Sequence, residues 1–158
     1  MDDREVIRSQ YQASLEMLRQ AIARCPDALW DNPGDKNKFW NIAYHTLFYT
    51  HLYLQESAQA FRPWAKHRKD YENFVIGMRE PFTTQDVLAY LEVCRQQVDE
   101  KTSQLKLDAE SGFGWVPCNK LELQFYNIRH IQQHTGELME RLGTRAGIDV
   151  DWVSLKHD

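Results

Sequence analysis

Four stretches of the chain carry a helical period and none carries the strict alternation of a half-buried strand, which points to an all-α fold. The first covers about residues 3–23, where Val6, Ile7, Tyr11, Leu15, Leu18 and Ile22 recur mostly at steps of three and four and Pro26 marks the end. Asp31-Asn32-Pro33-Gly34-Asp35 breaks the chain, and a second stretch follows over about residues 38–60, closed by Pro63. The third opens on the capping pattern Thr83-x-x-Asp86 and runs through Val87, Leu91, Cys94 and Val98 toward Leu105. The fourth contains His130 and His134 and ends near Gly143. Four helices of about 20 residues each are therefore predicted, packed as a bundle.

The 158 residues suit a single domain, residues 1–158, able to bury about two-thirds of its unfolded surface without a disulfide or structural metal. A net charge of -4, spread along the chain, argues against a generic nucleic-acid partner and against an anionic membrane surface. No apolar run approaches the roughly 18 residues of a membrane span, and the charged start lacks the apolar stretch of a signal peptide, so a cytoplasmic protein is expected. Cys25, Cys94 and Cys118 show no Cys-x-x-Cys spacing and read as reduced thiols; Cys118, just before a helix start, is where a dipole favours a thiolate.

Two connections exceed what a minimal bundle needs, residues 61–82 and 106–119. The first holds Arg62, Lys66, His67, Arg68 and Lys69, read as a solvated loop in preference to an anion-binding lid. In the second, Phe113 and Trp115 either plug the bundle end or line a pocket.

His130 and His134 lie four residues apart, so on a helix they stack on one face and can share one ion. Tyr126, Asn127, Glu137 and Arg141 share that mostly polar face, while Leu121, Phe125, Ile128, Ile131, Leu138 and Leu142 supply apolar positions around it. His45 sits among Asn41, Ile42, Phe48, Tyr49 and Leu52 and points inward; His51, rotated by about 120 degrees, is a poor candidate for the same ion. Three imidazoles with open coordination positions belong to a reactive centre rather than a structural one, and suit Zn(II), Ni(II) or Fe(II).

His-Ile-Gln-Gln-His lacks the Glu that serves zincin proteases as general base, and no Glu-x-x-His repeat supports a di-iron carboxylate centre.

The order of these features resembles the DinB/YfiT-like family of metalloenzymes. The likeness rests on Trp40-x-x-x-x-His45 in the second helix and on His130-x-x-x-His134 followed by Gly136-x-Leu138 in the fourth, and it extends over nearly the whole chain. It implies an up-down-down-up four-helix bundle, frequently a homodimer, with a metal triad at His45, His130 and His134 completed by water or substrate. It also implies transfer of a low-molecular-weight thiol to a small molecule, since some relatives are thiol-dependent transferases. Thr135 and Glu137 stand where Arg and Gln are frequent in the family.

The expected function is a metal-dependent enzyme in which one divalent ion lowers the pKa of a thiol or water and delivers it as a nucleophile. Tyr49 and Tyr126 are expected to orient substrate or donate a proton, and Asn127 and Glu137 to fix the imidazole tautomers. A self-complementary dimer patch is expected from helices one and two, with Tyr53 and Trp64 exposed. The competing expectation is a non-catalytic, metal-binding, dimerising bundle.

Overall fold

The computed structural model describes residues 2–75 and 77–156, so the extreme ends of the expected 1–158 domain lie outside the described residues. The described residues form five helices: α1 Asp3–Arg24, α2 Asp27–Trp30, α3 Phe39–Tyr53, α4 Thr84–Thr102 and α5 Lys120–Ala146. Among the described residues there is no strand, only an isolated bridge between Glu110 and Asn119. Among the described residues no helix is long and apolar enough to cross a membrane.

Local chemistry sets most helix starts. Asp2 accepts from the Arg4 backbone and forms a reciprocal capping box with Glu5, Thr83 accepts from the Asp86 backbone as its spacing predicts, and Asn119 accepts from Glu122. The helix α5 runs one turn past Gly143 and stops at Gly147, whose left-handed backbone (φ 64°) returns its N–H to Gly143 and Leu142. The single turn α2, not apparent as a periodic stretch, seats Trp30 so that its indole N–H donates to the Phe82 carbonyl at 2.8 Å.

The second long helix ends at Tyr53, not near residue 60, and its limit comes from far along the chain. The Lys120 ammonium, itself buried, takes the carbonyls of Gln55 at 3.0 Å and Glu56 at 2.7 Å, together with that of Ser111. Gly112 (φ 83°) lies against the Glu56 carbonyl so closely that an added Cβ would collide with it. These contacts fold residues 106–119 under the end of α3, where Phe113 is buried as a plug and Trp115 stays exposed.

The helices α1 and α3 each pack against both α4 and α5, enclosing one core that includes Tyr11, Leu15, Trp40, Leu47, Leu91 and Leu138. Each fully buried Leu or Phe contributes about 1.5–3 kcal/mol of transfer free energy, and Leu47→Ala is expected to cost about 2–5 kcal/mol because a cavity would remain. Nearly all of α3 is buried, since the 61–82 connection covers the side the other helices leave open. Trp64 stacks on Tyr90 at 4.8 Å, and Phe82 on Tyr44 at 4.7 Å.

That packing corrects several expectations. Tyr53 is buried and Trp64 is occupied by Tyr90, so neither forms an exposed dimer patch. Phe125 and Val6, assigned to apolar stripes, are instead exposed. Three cations of the first connection have partners, Lys66 pairing with Asp86 at 2.6 Å, Arg68 donating to the Glu80 carbonyl and Arg62 donating to Gln59 and Phe61, and the His67 ring bonds the Tyr44 hydroxyl at 2.6 Å. Arg62, Lys66 and Lys69 are exposed, as the solvated-loop reading expects, while Phe61, Trp64, Tyr71 and Phe82 of the same connection pack on the core.

Candidate metal centre

The helices α3 and α5 run antiparallel: the Asn127 amide donates to the Thr50 carbonyl at 3.2 Å, Tyr53 meets Tyr126, and His45 meets His130 and His134. The three imidazoles each offer one nitrogen, and these nitrogens all lie within 4.8 Å of one another. The Nε2 atoms of His45 and His130 are 3.1 Å apart. Nitrogens held about 2.1 Å from one ion stand about 3.0 to 3.4 Å apart for right-angled to tetrahedral geometry, so this pair already has a chelating separation.

The far nitrogens explain how two of the rings are aimed. His45 donates from Nδ1 to the Glu72 carbonyl at 2.7 Å, which leaves the lone pair on Nε2 facing the cluster. His134 places Nδ1 3.1 Å from Glu137 Oε2, so its Nε2 is likewise free to ligate. Glu137 also stands 4.0 Å from the Arg141 guanidinium, which is held by Asp35 at 3.3 Å. The third ring differs, because His130 Nδ1 is buried with no protein partner. With His45 Nδ1 donating to Glu72, the neutral His45 Nε2 accepts from His130 Nε2, and ligation through His130 Nε2 would require its proton on Nδ1.

Burial pulls His45 down to about 4 and His130 to about 3, with charge on the neighbouring imidazoles acting in the same direction. Both rings are therefore neutral near pH 7, the form a metal requires. The three-imidazole donor set and the preset tautomers of His45 and His134 fit a divalent transition ion.

The ring of Phe74 stacks on His45 at 4.3 Å, and Tyr49 lies 4.8 Å from His45 and 5.8 Å from His130. Burial, followed by the Glu72 charge, raises the Tyr49 phenol, so it remains a proton donor. Arg79 fixes the segment carrying Glu72 and Phe74 by donating to the carbonyls of Asp70 and Asn73 and to Asn41 Oδ1.

The structure thus brings together His45, His130, His134, Tyr49 and Glu137. Tyr126 stands one turn before His130 and packs on Tyr53 at 5.6 Å, beside the imidazoles rather than against them. Asn127 does not orient a ring, since its amide is turned to Thr50. His51 lies elsewhere, with Nδ1 3.2 Å from the Tyr90 hydroxyl. Cys118 is not activated: burial and the Glu122 charge raise its thiol. Glu72 escaped sequence reasoning because it acts through its backbone carbonyl, which no side-chain pattern announces; Phe74 and Arg79 act from an irregular segment without a period.

The chain matches no protein-family model, no curated protein and no solved structure.

Proposed function

We propose that this protein is a metal-dependent enzyme of the DinB-like kind, a single domain holding one divalent transition ion, Zn, Ni or Fe, at His45, His130 and His134. The observation carrying the proposal is the convergence of the three ligand nitrogens within 4.8 Å, with His45 and His134 oriented through their far nitrogens. When bound, such an ion lowers the pKa of a thiol or water and stabilises the nucleophile it becomes.

The protein's own groups have separate tasks in this proposal. Glu72 and Glu137 hold the tautomers of His45 and His134. Phe74 and Tyr49 form aromatic walls that limit water, and the Tyr49 hydroxyl donates a proton to the departing group. Tyr126 orients the small-molecule substrate, with a low-molecular-weight thiol as the favoured cosubstrate over water because no general base follows His130.

The up-down-down-up bundle belongs to the same proposal. It is supported by α1 residues 8 and 12 pairing with α4 residues 99 and 95 in reverse order, with residue 4 reaching Leu105 just past the end of α4, and by α1 residues 11 and 17 pairing with α5 residues 124 and 132 in the same order. A cytoplasmic homodimer completes it, and sedimentation of the purified protein tests the dimer. For the activity, the metal-loaded protein is screened for consumption of a small thiol with an electrophilic acceptor. Turnover lost in His130→Ala supports the proposal; a variant without the ion that retains full turnover contradicts it.

A further inference from the structure

The metal centre occupies one part of the α3/α5 seam, and an aromatic row continues away from it. His45, Tyr49 and Tyr53 follow at four-residue steps on α3, as do Tyr126, His130 and His134 on α5. Because the helices are antiparallel, the rings meet in series: Tyr49 lies 5.8 Å from both His130 and Tyr53, and Tyr53 lies 5.6 Å from Tyr126. Trp115 donates its indole N–H to the Tyr53 hydroxyl at 3.1 Å.

The row ends on a positive charge. The exposed guanidinium of Arg129 stands over the Tyr126 ring, 5.7 Å from its centroid. Arg129 and Tyr126 also line a cavity of about 690 Å³ whose other walls include Val116, Phe125, Ile128 and Glu122. On α5 Tyr126 precedes His130 by four residues, a rise of about 6 Å, and Arg129 is the residue directly before His130.

We propose that Arg129 with the Tyr126 hydroxyl forms a subsite for the carboxylate of a short organic acid whose reacting end lies at the three histidines. The placement of that reacting end rests on the metal-centre proposal above. A carboxylate matches the planar fork of a guanidinium and accepts from a phenol at the same time, whereas a neutral amide offers one carbonyl oxygen and forms no bidentate ion pair with Arg129. A rise of about one turn between Tyr126 and His130 suits an acid with only a few atoms between its carboxylate and its reacting group.

Calorimetric titration tests this with 3-mercaptopropionate and its neutral analogue 3-mercaptopropionamide, against Zn(II)-loaded and metal-free protein. The loaded protein is expected to bind the acid about tenfold more tightly than the amide. In Arg129→Gln the preference should shrink to about twofold or less, with amide affinity and thermal midpoint unchanged, and in Tyr126→Phe the preference should also fall. Equal binding of acid and amide by the native chain, or an undiminished preference in Arg129→Gln, would overturn the subsite. A chain that takes up no ion yet still prefers the acid would support the subsite while removing the metal proposal.

Discussion

His45 and His130 present their Nε2 atoms to each other at 3.1 Å across the α3/α5 seam, while the far nitrogen of His45 is committed to the Glu72 carbonyl at 2.7 Å. Two facing nitrogens at that distance cannot both carry protons, and a shared cation would accept a lone pair from each once the His130 proton sits on Nδ1. The backbone of one irregular segment therefore determines which nitrogen of a helical histidine faces the candidate ion.

Glu137 orients His134 from the same helix, so its contribution is separable from the fold. In Glu137→Ala, metal affinity is expected to fall about 10–100-fold, measured by competition with a chromophoric chelator. Because Glu137 is exposed, the urea midpoint should correspond to a change under about 0.5 kcal/mol. Undiminished affinity would remove Glu137 from the account.

Lys120 joins the end of α3 to the 106–119 connection through three carbonyls. Lys120→Met leaves those acceptors without their donor and is expected to cost about 3 kcal/mol in urea unfolding. The site is distant from the imidazoles, so metal affinity should survive in the folded fraction. A cost below about 0.5 kcal/mol would mean that water replaces the ammonium.

His51 gives the metal-free protein a pH dependence that is independent of the proposed ligands. Burial, followed by the Lys101 charge, pulls its folded value down to about 4 from 6.5. The unfolded chain therefore takes up the proton first as pH falls. The associated stability is present above about pH 6.5 and is lost progressively toward pH 4, by roughly 3 kcal/mol at most. Urea unfolding at pH 7 and pH 4 should show a smaller difference in His51→Gln than in the native chain, and equal differences would contradict the assignment.

The sequence made the pairing of His130 with His134 legible because four residues on a helix is a local relation, and His45 because its neighbours are apolar or aromatic at helical spacing. Thr83 was likewise legible as a cap. The end of α3 was not, because Lys120 and Gly112 define it from more than fifty residues away. Phe125 has the composition of a core residue but lies on the side of α5 that no helix covers. Glu72, Phe74 and Arg79 depend on the path of an irregular connection, which periodicity does not describe.

The central claim is that His45, His130 and His134 hold one ion together. Elemental mass spectrometry of protein purified without an affinity tag, alongside His45→Ala and His130→Ala, tests it most directly. The account predicts about one equivalent of a transition metal in the native chain and its loss in both variants. A native chain that remains metal-free after incubation with Zn(II), Ni(II), Mn(II) and Fe(II), or variants that keep the full equivalent, would contradict it.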